Sequence, residues 1–206
     1  MLRMRARLVL AGAAVAVALS GCAPTGTGPS PSPTDEPSAT PSPSATPTAE
    51  PLTIVDCEVL LPIEDARALF SDATEFLGER PPTESGGWFP LDEIDSTLAA
   101  STQARACSWG VPNSDGVFTI HAVEVTEEQR SSLEAALTAA GFSTETTGTV
   151  TTFEMTGENE VSTIAATHLF TGDLWIMVNS NDLSTTGPAA TSALDAMRAA
   201  NPTLGL

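Results

Sequence analysis

Apolar positions along this chain fall into runs whose spacing switches between helical and extended. Ile63, Ala66, Leu69 and Phe70 recur at helical intervals behind Pro62, with Glu64 and Asp65 in the first turn, and predict a first helix. Residues 71–103 are acidic and rich in Gly, Pro, Ser and Thr without strand alternation; they read as loop apart from a short helix around Leu91–Ala100. Ala106–Val111 and Val117–Val125 are β-like and flank Pro112-Asn113-Ser114-Asp115-Gly116, whose Asp-Gly step signals a hairpin. Thr126-Glu127-Glu128-Gln129 is a capping box, and Leu133, Ala136, Leu137 and Ala140 form an apolar stripe that stops at Gly141. Three extended runs follow, Thr149–Thr156, Val161–Phe170 and Leu174–Asn179, with turns at Gly157-Glu158-Asn159 and Thr171-Gly172-Asp173. Pro188 opens a last helix that places Ala190, Leu194 and Met197 on one side and ends at Asn201-Pro202.

The order is helix, two strands, helix, three strands, helix. Hairpin links imply an antiparallel sheet of about five strands, and about three amphipathic helices need a sheet face to cover, so the expected class is α+β. Val117–Val125 and Leu174–Asn179 are apolar on both sides of the alternation, so both sheet faces are expected to be buried.

The first 21 residues have a different pattern. Arg3, Arg5 and Arg7 precede an apolar run from Leu8 to Leu19, and small residues Ser20 and Gly21 lead into Cys22, the layout of a secretory signal. Twelve helical residues span about 18 Å, short of the ~30 Å hydrocarbon core, which argues against a permanent transmembrane helix. Residues 22–52 then form a linker. Positions 23–52 hold nine Pro, five Ser and six Thr, with Leu52 the only large apolar side chain, so no core can form there. Such a segment reaches from roughly 30 Å as coil to about 90 Å extended. It serves equally as a bare spacer or as a stalk bearing O-linked sugars. A single domain over residues 53–206 is expected.

The whole chain has 26 acids against eight basic residues, a formal charge of -18. All eight are arginine, and removing residues 1–21 leaves five of them against the same 26 acids, a charge of -21. Neutralising phosphates needs clustered Lys or Arg, so nucleic-acid binding is excluded, and anionic lipid would repel the domain. Attachment to a membrane would therefore have to come from lipid.

Candidate chemistry is sparse. His121 and His168 both fall inside predicted strands, where a hydrogen-bonded sheet residue is the simpler reading than a ligand or base. No Gly-x-Ser-x-Gly, His-Glu-x-x-His or Cys-x-x-Cys motif occurs, so no catalytic residue, metal site or cofactor is assigned. Glu75, Glu79, Glu84, Asp92, Glu93 and Asp95 supply oxygen ligands that Ca²⁺ would accept, but in no loop spacing that gathers them; a solvated acidic surface explains them as well. Trp88 and Phe89 are large apolar side chains in a polar segment, and they either plug the core or line a ligand mouth. Cys57 and Cys107 form an even pair once Cys22 is consumed by lipid, and in an oxidising compartment they pair as a disulfide; two buried free thiols are the alternative.

Two stretches resemble known families. Leu19-Ser20-Gly21-Cys22 resembles the lipobox of bacterial lipoproteins, which implies diacylglyceryl transfer to the Cys22 sulfur and cleavage before it; the plain alternative is an incidental cysteine behind an ordinary cleavage site. Cys57-Glu58-Val59-Leu60-Leu61-Pro62 and Cys107-Ser108-Trp109 resemble uncharacterised actinobacterial surface lipoproteins with a Cys-x-x-Leu-Leu helix and a Cys-x-Trp strand. They are more distantly similar to the extracellular sensor domains of mycobacterial serine/threonine kinases. That likeness implies an antiparallel sheet packed by helices with the two motif cysteines bridged, and it supplies no catalytic residues. The expected product is a lipid-anchored extracytoplasmic protein on the cell membrane, binding a small molecule, glycan or protein partner in the envelope. A hydrolase of envelope material and a purely structural component are the alternatives. An enzyme should gather a polar triad or paired carboxylates in its largest pocket, a binder an apolar pocket or a patch near Trp88.

Overall fold

The structure is a computed structural model and describes residues 50–83, 89–158 and 162–206. Its elements run α1 (Cys57–Leu60), α2 (Ile63–Leu69), β1 (Glu75–Arg80), α3 (Asp92–Ala100), β2 (Ala104–Gly110), β3 (Val117–Glu124), α4 (Glu127–Ala140), β4 (Ser143–Thr147), β5 (Val150–Glu158), β6 (Thr163–Thr171), β7 (Leu174–Ser180) and α5 (Leu183–Ala200). All seven strands join one antiparallel sheet in the order β1-β2-β3-β7-β6-β5-β4. The α+β class stands, with seven strands in place of about five and five helices in place of about three among the described residues.

Side-chain alternation explains the layering. One face carries Cys107, Trp109, Phe118, Ile120, Ala122, Leu169, Leu174, Ile176 and Val178, and packs against α1, α2 and α5. The other carries Val123, Phe153, Ala166, Phe170, Trp175 and Met177, and packs against Ile94 and Leu98 of α3 and Leu133 and Leu137 of α4. Helices therefore cover both faces, and all seven residues of β7 are buried, as its apolar run on both alternations requires.

The differences from the sequence reading have local causes. β1 falls in the stretch expected to be loop: its six residues are half-exposed or exposed throughout, so no buried alternation marks them, and a bulge between Phe76 and Gly78 breaks their period. β4 is Ser-Thr-Glu-Thr-Thr, exposed at every position, and is held by a two-residue Gly148-Thr149 turn with Gly148 at φ 62°. The predicted turn at Gly157-Glu158 is the end of β5; Asn159 lies outside the described residues. Pro188 does not open the last helix. Asp182 caps it six residues earlier, accepting the Ser184 N–H at 3.0 Å, and Pro188 sits on the exposed side within it. The short α1 has no apolar periodicity of its own and falls on the Cys-x-x-Leu-Leu stretch that the resemblance marks as a helix.

Other elements fall where the pattern put them. The Thr126 hydroxyl accepts the Gln129 N–H at 3.2 Å while the Gln129 side chain accepts the Thr126 N–H at 2.8 Å, and Gly141 closes α4 in the left-handed region. The β2–β3 hairpin forms around Asn113, at φ 60°, within a longer loop than an Asp-Gly turn alone would need. Cys57 and Cys107 are bridged, with S–S 2.01 Å, which ties α1 to β2. Among the described residues no helix is long and apolar enough to cross a membrane.

Candidate functional site

The largest described cleft, about 610 Å³, opens at the end of the sheet where the β6–β7 turn lies. Four pieces of chain far apart in sequence build it. The register Glu124↔Leu174 sets the last residue of β3 beside the turn, so that Glu124 and Asp173 share a wall. Glu50, Pro51 and Leu52 enter from the linker side, and Thr203, Leu204 and Leu206 come from the segment after α5. The Thr203 hydroxyl donates to the Glu50 carboxylate at 2.6 Å and joins the last two pieces.

Leu52 and Leu206 are buried and Leu204 is half-buried, so the cleft has an apolar floor, while Glu50, Glu124 and Asp173 place three carboxylates around it. The Asp173 carbonyl accepts the Val125 N–H at 2.8 Å, which fixes the turn against the end of β3. Two smaller recesses, about 250 and 340 Å³, also include Asp173; the second contains Arg130, whose guanidinium donates to the Gly172 carbonyl at 3.2 Å and to Glu134 at 2.8 Å. Carboxylates over an apolar floor suit a ligand with a cationic group and an apolar body.

None of these residues stood out in the sequence. Asp173 lies in a turn that the sequence marked, but nothing local to Glu50, Glu124 and Asp173 says that they meet; only the β3–β7 register and the course of the chain after α5 bring them together.

The sequence candidates lie elsewhere. Trp88 lies outside the described residues. Phe89 is half-buried, its ring edge-on to Phe142 at 5.5 Å between centroids, and a side chain at Gly157 would come within 3.3 Å of it. Phe89 thus packs against the core between α4 and β5. Of the acidic set, Glu75 and Glu79 lie on β1, with Glu79 paired to Arg105 at 2.8 Å, and Asp92, Glu93 and Asp95 lie in the first turn of α3; Glu84 lies outside the described residues. No group of three or more His, Cys, Asp or Glu able to hold a metal occurs among the described residues.

The two histidines are brought onto one row. His121 of β3 and His168 of β6 both stand opposite Met177 of β7, on the face covered by α3 and α4, and both are fully buried. His168 Nδ1 accepts from the Trp175 indole N–H at 3.3 Å, which places its proton on Nε2, and Phe142 meets the ring edge-on. Among the described residues no group meets His168 Nε2 or either nitrogen of His121 at hydrogen-bonding geometry. Burial pushes His121 down to about 4, opposed only in part by the nearby Pro82 carbonyl, and pushes His168 down to about 3 with a further contribution from His121. Both imidazoles are neutral at pH 7 and shut away from solvent, so neither is placed to serve as a base for an external substrate.

Compared with protein-family models, with curated proteins and with solved structures, the chain matches none of them.

Proposed function

We propose that this chain is an envelope lipoprotein: lipid on Cys22 anchors it to the outer face of the cell membrane, residues 23–52 act as a stalk, and the disulfide-braced domain binds a ligand or partner without catalysing a reaction. The observation that carries this reading is the sequence Leu19-Ser20-Gly21-Cys22 directly behind a charged and apolar leader and directly ahead of a Pro/Ser/Thr-rich stretch. Two or three acyl chains hold a protein stably where one would not, each buried CH₂ contributing about 0.8 kcal/mol. The Cys57–Cys107 bridge suits an oxidising compartment.

Within this reading the ligand site is the cleft of Leu52, Leu204 and Leu206 with Glu50, Glu124 and Asp173, and its occupant is an amphiphilic cation. Where the stalk enters the domain it also forms part of that cleft. The same three carboxylates favour a second reading, hydrolysis of envelope glycans, because paired carboxylates are the usual apparatus for it.

One set of variants tests both. Cys22→Ser should abolish incorporation of labelled fatty acid into the chain, and a mutant that is still acylated contradicts the anchor. Glu124→Gln with Asp173→Asn should weaken binding of a cationic amphiphile such as a long-chain amine by more than tenfold. Turnover of envelope glycan that this double variant abolishes would replace the binding reading with the hydrolytic one.

A further inference from the structure

The two outer strands of the sheet are unlike. β4 presents Ser143, Thr144, Glu145, Thr146 and Thr147, all exposed and without one large apolar side chain, the composition that keeps a free edge from pairing. β1 is the other edge, and it presents Phe76 and Leu77, which are 37% and 41% exposed. Val59 of α1, 55% exposed, belongs to the same region, because Arg105 bridges Asp56 before α1 and Glu79 of β1. These three are the exposed large apolar side chains among the described residues. Inward from Phe76 the apolar row continues through Trp109 and Phe118, with ring centroids 5.5 and 5.6 Å apart.

We propose that β1 pairs antiparallel with β1 of a second copy of this chain, joining two sheets across a two-fold axis between Leu77 and Gly78. The charges on the strand favour that register. Pairing about this axis sets Glu75 opposite Arg80 of the second copy, and Arg80 opposite its Glu75. Both side chains lie on the same sheet face: Arg80 stands opposite Ala106 and bonds Ser108 from that side, and Glu75 precedes Phe76, which turns toward Trp109 on the other face. Leu77 meets Gly78 of the second copy, where nothing lies within 4 Å of a side-chain position. Phe76 is then covered by the added strand.

Six residues make a small contact, and the bulge shortens it, so the pair is weak in free solution. Two copies stalked on one membrane would meet at an effective concentration of the order of mM, which favours it there. Like net charge opposes association and is screened over about 8 Å at 0.15 M salt. The strand pairing itself does not depend on the anchor.

The test is sedimentation equilibrium of the full mature chain in density-matched detergent at 0.15 M salt, with protein up to ~1 mM. The wild type should show a monomer–dimer equilibrium. Glu75→Arg should raise its dissociation constant roughly tenfold, and Glu75→Arg with Arg80→Glu should restore it. Leu77→Lys should abolish dimers while leaving the melting temperature of the monomer unchanged. A wild type that stays monomeric overturns the proposal and leaves this edge to a different protein. A dimer indifferent to Leu77→Lys and Glu75→Arg overturns it as well, since another surface then carries the contact.

Discussion

Asn201 holds Thr53 by both sides of its backbone: the Asn201 side chain accepts the Thr53 N–H at 2.8 Å and donates to the Thr53 carbonyl at 2.9 Å, across 148 residues of sequence. The same amide donates to the Met197 carbonyl at 2.7 Å, so one buried side chain fastens the start of the domain to the end of α5. The cleft takes walls from both of the segments joined in this way.

Replacing Asn201 with Leu keeps the volume and removes all three bonds. The expected cost is about 2 kcal/mol, or a melting temperature lower by roughly 4–8 °C. Hydrogen exchange should show loss of protection at Thr53 before the sheet opens; unchanged protection there would show that the linkage carries no stability.

The Cys57–Cys107 bridge closes a loop of 50 residues. Its removal in a Cys57→Ala, Cys107→Ala variant should cost about 4 kcal/mol by the chain-entropy argument, read as a lower urea midpoint with a steeper slope, because the freed unfolded chain exposes more surface. A midpoint equal to that of the wild type would mean that the bridge adds no stability.

The buried histidines set a pH dependence. Their folded values lie below the ordinary 6.5, at about 4 for His121 and about 3 for His168, so the unfolded chain binds more protons than the folded one below pH 6.5. Stability should be full above pH 6.5 and fall as the pH drops through 4, with His121 contributing of the order of 3 kcal/mol of the loss. His121→Leu should roughly halve the slope between pH 6 and 4, because His168 still contributes there. A wild-type curve that is flat across that range contradicts the burial of both rings.

Gly110 ends β2 where the chain turns back upon itself. A side chain there would stand 2.3 Å from the Gly116 carbonyl oxygen and 2.9 Å from the Val117 Cα, both backbone atoms that cannot swing aside. Gly110→Ala should therefore destabilise by about 3 kcal/mol or more, whereas Gly148→Ala, in open space at a positive φ, should cost only about 1 kcal/mol. Equal melting temperatures for the two variants would count against the hairpin geometry.

The elements legible in the sequence are those whose signals are local. Thr126 and Gln129 declare the start of α4, Gly141 its end, and the unbroken apolar run Leu174-Trp175-Ile176-Met177-Val178 declares a strand buried on both faces. β1 and β4 gave no such sign, because an edge strand exposed on both faces has no burial to imprint on its residues. Asp182 before Ser184 was a readable cap, but Pro188 was a stronger local signal for the wrong start. The cleft was hidden for a different reason: Glu50, Glu124 and Asp173 become neighbours only through pairing and chain course, which no short window contains.

Acylation of Cys22 decides between an anchored and a free chain. Intact-mass measurement of the native protein extracted from its own membrane should find a chain that begins at Cys22, carries a diacylglyceryl group there, and is two hydrogens short of the reduced mass through Cys57 and Cys107. A chain that retains residues 1–21, without acyl groups and with two free thiols, would contradict the anchor and the bridge.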